Sequence, residues 1–420
     1  MRFLEFLKTV KNILYEEGTK MKKGLILTLV MLVGVLSVFS QTLTVWSSEK
    51  QVDFLQRIGQ EFTRDTGINV DVQMVTFGDI RSKFLTAAQA GEGPDIIVGA
   101  QDWVGELVMN DLLEPIPQSA IELDKFAPSG IQAFTYEGKL YGLPYALEAN
   151  ALFYNRDYVS DEEVPTSIDE LKALAKEFTT DETVGFAFVA NELYHAYGFL
   201  SAYGAYVFGY DPKTGYDITD IGLNNEKAIK AAYLVKSFFD EGIVPQGMNY
   251  NIMDSMFMDG LAAMIINGPW AVKAYLDAGI DFGVVPLTSI EVEPGKTMKP
   301  FVGVQGLMIN SRSENKAFAM EFIINYLATA EGIYEFYIAD PRLPSRVDVS
   351  QIIEEQGGPV PADIVAAFTE SAAGGEPMPN IPAMQMVWTP MDDALNNIIN
   401  GTQTPEEALN DAVSKIKAAL

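Results

Sequence analysis

The chain has 420 residues, with 29 Lys and Arg against 57 Asp and Glu for a formal charge of −28, no cysteine, and 48% hydrophobic residues. So acidic a surface repels phosphate backbones and anionic membranes, which argues against nucleic-acid and peripheral-membrane roles. The lack of cysteine excludes disulfide frameworks, thiolate nucleophiles, Cys-ligated metals and a lipid-bearing cysteine, while the hydrophobic content and length describe a globular chain of two or three domains.

Met21-Lys22-Lys23 precedes an apolar and small-residue stretch over 24–39, with Val38 and Ser40 at the small-residue positions before a cut. This reads as a secretory signal peptide, since the stretch falls short of the ~20 residues that span a bilayer. The expectation is a cleaved leader, Met21 as the true start, and a soluble exported, periplasmic protein. Residues 1–40 are therefore set aside from the fold. The remainder carries 23 basic and 54 acidic residues, or −31.

Residues 42–46 alternate as a strand, 51–66 form an amphipathic helix stopped by Gly67, and 68–74 form the next strand. Residues 80–90 are a helix closed by Gly91, and 94–100 a third strand. This β-α-β-α-β order predicts a parallel sheet with right-handed crossovers. Residues 140–154 read as extended. A helix over 167–178 starts with Ser167 as cap and Glu170 three residues on, and further helices are expected around 190–205, 226–241, 253–260, 314–328 and 405–419. No repeat or long linker divides the chain, which predicts lobes joined by several crossings.

Two apolar runs, over 94–103 and 264–270, end on Trp103 and Trp270 beside polar groups. Each reads as a strand covered on both faces that delivers an aromatic to the sheet rim, where open α/β sheets bind ligands. Aromatic faces suit the C–H faces of a sugar, and a charged acceptor such as Asp102 suits its hydroxyls. Taken alone, either tryptophan is a core residue about as often. Glu148 interrupts an apolar run over 145–153, where a carboxylate is costly unless paired or ligand-bound. His195, the sole histidine, reads as a packed or rim residue because no second histidine is at hand for a metal site. The loop over 211–217 lacks the EF-hand spacing and reads as a hairpin turn.

The segments Gly91-Glu-Gly-Pro-Asp-Ile-Ile, Gly138-Lys-Leu-Tyr-Gly-Leu-Pro-Tyr-Ala-Leu-Glu-Ala, Ala262-Ala-Met-Ile-Ile-Asn-Gly-Pro-Trp, Lys299-Pro-Phe-Val-Gly-Val and Met378-Pro-Asn-Ile-Pro carry a resemblance that covers essentially all of the chain after residue 40. It resembles the extracellular solute-binding proteins of sugar ABC importers, and within them the maltose/maltodextrin-binding branch. The resemblance implies an α/β, two-lobed periplasmic binding protein fold of type II, closing by a hinge on its ligand. One lobe would comprise 41–147 and 304–352, the other 148–303 and 353–420. It also implies ligand contacts from Glu49 and Lys50 after the first strand, Asp102 after the third, the hinge-side carboxylate Glu148, Glu192 and Tyr194, and the stacking Trp270 and Trp388. The ligand would be maltose, maltotriose or maltodextrin, delivered by a monomer in transient contact with permease subunits, without cofactor or metal.

This sequence departs from the family pattern at four positions. Gly99 replaces a tryptophan, Trp103 stands where an arginine usually follows the aspartate, and Thr389 and Asp392 replace a tyrosine and an arginine after Trp388. Trp103 is kept among the candidate ligand residues, either stacking on the sugar or packing in the lobe. Two alternatives stay open. One is a binder of another oligosaccharide, such as trehalose or a cello- or manno-oligosaccharide. The other is an exported glycoside hydrolase, which needs two carboxylates ~5–9 Å apart astride a bond.

Overall fold

The computed structural model describes residues 41–420, and the leader read over 1–40 lies outside them. Strand β1 (Thr42–Ser47) buries alternate residues, Leu43, Val45 and Ser47, as its pattern predicts. Helix α1 (Val52–Thr66) buries Phe54, Leu55, Ile58 and Phe62, a spacing that gathers them on one face. Then come β2 (Asn69–Met74), α2 (Phe77–Gln89) and β3 (Ile96–Ala100), every residue of β3 being buried. Strand β4 (Leu143–Ala149) is separated by Asn150 alone from β5 (Ala151–Asn155), which lies in a different sheet.

The second sheet continues with β6 (Val184–Ala187), followed by α3 (Leu193–Tyr203), β7 (Ala262–Asn267) and β8 (Phe282–Pro286). The chain returns to the first sheet as β9 (Phe301–Asn310), all ten residues buried, and β10 (Leu343–Pro344). Helix α4 (Trp388–Ile399) lies near the end of the chain. The first sheet runs β10-β4-β9-β3-β1-β2 and the second β8-β5-β7-β6. The molecule is thus a two-lobed α/β protein.

The parallel expectation holds for β1 with β2 and with β3, and fails on the other side of β3. There β9 pairs antiparallel, Gln305 facing Ala100 and Ile309 facing Ile96. Likewise β7 is parallel to β6 and antiparallel to β5. The cause is the crossing itself. A strand arriving from the other lobe enters from the far end of the sheet, so β9 runs against β3 and also against β4.

Because side chains alternate along a strand, β4 and β9 show different chemistry on their two faces. Gly303 faces Glu148, and Gln305 bonds to it. The opposite face, with Leu147, Val302 and Val304, lines an apolar cavity of about 930 Å³ that reaches Val360 and Val365. None of the expected ligand residues lines that cavity.

Candidate ligand-binding site

Strands β3 and β7 each end in a short 3-10 turn, Gln101–Trp103 and Pro269–Ala271, which brings Asp102 and Trp270 to the carboxyl ends of their sheets. Asp102 is 5% exposed. Its Oδ2 accepts from Gln385 Nε2 at 3.0 Å and from Trp388 Nε1 at 3.2 Å, and its backbone carbonyl accepts from the same Gln385 nitrogen at 2.8 Å. Gln385 and Trp388 precede and open α4, whose core is shared with α3. Two sequence-predicted residues, Asp102 and Trp388, are thus brought together. Burial pushes the Asp102 carboxyl up to about 6, against the lowering effect of its Gln385 and Trp388 hydrogen bonds.

Glu148 lies in a buried network. Its Oε1 accepts from Gln305 Nε2 at 3.0 Å, and its Oε2 accepts from Arg342 Nη1. Arg342 Nε bonds both oxygens of Asp340, at 3.1 and 3.0 Å. Asp340 Oδ2 accepts from Gln51 Nε2 at 2.7 Å, and Gln51 Oε1 accepts from Ser48 Oγ at 2.7 Å. In this way the loop bearing Glu49 and Lys50 is tied to the crossing strands. The Arg342 guanidinium carbon also lies 5.8 Å from the centre of the Trp270 ring, within cation–π range. Burial works against its charge, but Asp340 and Glu148 outweigh that and hold its pKa above the ordinary arginine value.

The second lobe contributes an aromatic wall. Trp270 folds its six-membered ring over Gly268, where a Cβ would lie 2.0 Å from Cζ3, so only glycine admits this pose. Its Nε1 donates to Tyr250 OH at 2.9 Å. Tyr194 lies 6.0 Å from Trp270 and 6.3 Å from Phe301, and Phe301 is 6.1 Å from Trp388. Beside this wall, four buried polar atoms have no protein partner among the described residues: Asn150 Oδ1, Asn191 Oδ1, Tyr194 OH and His195 Nδ1. Asn150 is anchored there by its Nδ2, which donates to Tyr194 O at 3.3 Å. Buried polar groups are nearly always bonded, to protein or to ordered water, so these atoms call for a water or a ligand as partner.

Glu192 stands at the N-cap position of α3 without a side-chain capping bond, its side chain is 47% exposed, and its Oε2 is 3.7 Å from His195 Nε2. Burial raises its pKa. Burial also holds His195 down to about 4, neutral at pH 7, as the packed reading requires. Asp392 accepts from Leu193 N at 2.7 Å and is pushed to about 6, chiefly by burial and also by nearby Glu192 and Asp393. Glu49 is exposed and Lys50 half-buried.

Trp103 is 6% exposed and packs in the first-lobe core, 5.2 Å from Phe77, with its ring where a side chain at Gly99 would be, a Cβ there lying 2.0 Å from Cζ3. The ring thus fills the space left by the glycine at position 99. Sequence reasoning missed Arg342, Gln305, Asn150 and Tyr250. Among them only Arg342 had a signal, since a buried Glu148 requires a cationic partner.

Residues 57–366 match the model of the bacterial extracellular solute-binding proteins. The chain belongs to that family. Among curated solute-binding relatives, it is 30% identical to the galactooligosaccharide-binding protein of Bacillus subtilis over 382 residues, 90% of this chain and 89% of that one. It is 32% identical to the maltotriose-binding protein of Pyrococcus abyssi over 346 residues, 80% of this chain and 72% of that one. Among solved structures, the solute-binding protein of Thermus thermophilus bound with maltotriose superposes with a TM-score of 0.81 at 34% identity, covering 90% of this chain and 99% of that one. No described helix is long and apolar enough to cross a membrane.

Proposed function

We propose that this solute-binding protein captures maltose, maltotriose or a longer maltodextrin between its lobes and delivers it, uncleaved, to the membrane permease of an ABC importer. The observation that carries this reading is the pairing of the Tyr194, Trp270 and Trp388 wall with four unpartnered buried polar atoms. A polyhydroxylated ring offers an apolar face to the first and hydroxyls to the second. Support for the α-1,4-glucan also comes from the relatives named for maltotriose and maltodextrin.

The reading is one of binding without chemistry, because Glu148 is held by Arg342 and Gln305 rather than poised as an acid beside a scissile bond. The lobes divide at 147/148, 303/304 and 352/353. Two of these divisions fall inside β4 and β9, so the hinge motion bends those strands. The protein acts as an exported, soluble monomer touching its permease transiently.

A second reading, a galactooligosaccharide ligand, is favoured by the relative of that name. Calorimetric titration against maltotriose, maltotetraose, trehalose, cellotriose and a β-galactooligosaccharide separates the two. Maltotriose should bind at micromolar Kd or tighter, about −8 kcal/mol or below, with no glucose released on prolonged incubation. Tighter binding of the galactoside would replace the ligand, and released glucose would sink the binding-only reading.

Binding should depend on pH. Asp102 and Asp392 have folded-state pKa values of about 6, above the ordinary 3.8, so without sugar they favour the folded state more as pH falls from 7 through 6 towards 4. Sugar hydroxyls donate best to ionised carboxylates, so affinity should fall over the same window and binding near pH 6 should release protons. Titrations in two buffers of different ionisation enthalpy measure this. Proton uptake on binding would contradict it.

A further inference from the structure

The loop over 211–217 forms the expected hairpin, with Tyr210 directly opposite Tyr216 and ring centroids 4.9 Å apart, tilted by 54°. Tyr210 is 52% exposed. An aromatic cross-strand pair steadies a two-stranded ribbon, a role that requires no hollow beside it. Here the pair borders a cavity of about 560 Å³ whose wall also includes Tyr197, Tyr206, Phe208 and Glu376. That volume lies within the ~300–1,000 Å³ of small-molecule sites. No cluster of three or more His, Asp or Glu side chains that could hold a metal ion occurs among the described residues.

Two tyrosine hydroxyls of the cavity wall are fixed. Tyr197 OH donates to Glu376 Oε2 at 2.6 Å, and Tyr206 OH donates to Asp220 Oδ1 at 2.7 Å. A carboxylate offers about four acceptor positions, so Glu376 keeps capacity towards the cavity it lines. The hollow adjoins the candidate ligand site. Phe301 stacks on Tyr197 at 3.5 Å and 5°, and the same ring lies 6.3 Å from Tyr194 and 6.1 Å from Trp388. A single aromatic ring therefore stands between the two sites.

We propose that this cavity is a second carbohydrate-binding site, taking a neutral chain of linked pyranose rings that stacks on Tyr210 and Tyr216 and donates hydroxyls to Glu376. A chain with net charge −28 repels anionic ligands. Glu376, already bonded to Tyr197, is the one charged side chain in the wall, too little to select a cation. The site shares the ligand class proposed for the cleft and none of the cleft residues predicted to contact it.

Calorimetric titration of the full protein with maltoheptaose, carried from cleft saturation into the millimolar range, should show a second, weaker step of about one further equivalent. Tyr210→Ala, at an exposed position, should weaken that step by about tenfold or more and leave the first unchanged, whereas Tyr210→Trp should keep it. Trp270→Ala should weaken the first step and spare the second. A single step in the wild type, or a second step indifferent to both Tyr210→Ala and Glu376→Gln, would overturn the second site. A surviving second step without the first would instead refute the cleft reading alone.

Discussion

Replacing Arg342 by Met is expected to cost about 3–5 kcal/mol of folding stability, the range for breaking a buried ion pair from one side. The substitution keeps most of the side-chain volume and removes the charge. It leaves Glu148 and Asp340, whose side chains are 8% and 0% exposed, without the guanidinium that compensates them. Unpaired buried carboxylates are costly because their ionised form loses hydration without replacement. The loss should appear as a lowered urea midpoint at unchanged slope. Adding Glu148→Gln should recover part of it, since one of the orphaned charges is then gone. An unaltered midpoint for Arg342→Met would mean that the network of Gln51, Asp340, Arg342 and Glu148 is not a buried unit. Because Arg342 also lies over Trp270, the variant should bind sugar less well even where it is folded.

Trp270→Ala and Trp388→Ala should each weaken maltotriose binding by roughly 1–3 kcal/mol while leaving the protein folded, in line with truncation of a desolvated aromatic anchor. Both rings are half-buried and border the second-lobe cores without belonging to their fully buried set, which is why the fold should survive. Trp388→Phe separates two contributions. It keeps an aromatic face and removes the Nε1 donor to Asp102, so it should retain most of the stacking while raising the Asp102 pKa further. The midpoint of pH-dependent binding should then move upward. If both alanine variants unfold, these residues serve the core; if both bind sugar as the wild type does, the second lobe does not present the wall described above.

The sequence disclosed those parts of the fold that depend on neighbouring residues. The alternation of β1, the apolar stripe of α1 and the continuous apolar runs of β3 and β7 follow from local burial, and their ends place Asp102 and Trp270. What stayed hidden depends on pairing over long separations. Nothing in residues 301–310 shows that they run antiparallel between β3 and β4, because their partners lie roughly 150 to 210 residues earlier. Arg342 sits in a polar stretch with no periodic signal. It reaches Glu148 only because Leu343 pairs with Leu147 at the edge of the sheet. The Gly99 and Trp103 departures looked like two separate changes in sequence, and in the structure they form one arrangement, with the ring of one filling the space vacated at the other. Asn150 gave no sign as a one-residue link between strands, yet it stands where the chain leaves the first sheet and offers an unpartnered oxygen beside Tyr194.

The central claim is that ligand contacts come from both lobes, so that sugar selects a closed arrangement. A ligand with equal affinity for open and closed forms would shift nothing. Small-angle X-ray scattering with and without saturating maltotriose tests this most directly, on protein whose binding has been established by calorimetry. The radius of gyration should fall on sugar addition, as hinge closure around a ligand requires. An unchanged scattering profile with sugar demonstrably bound would show that one lobe holds the ligand alone, contradicting a cleft completed across both.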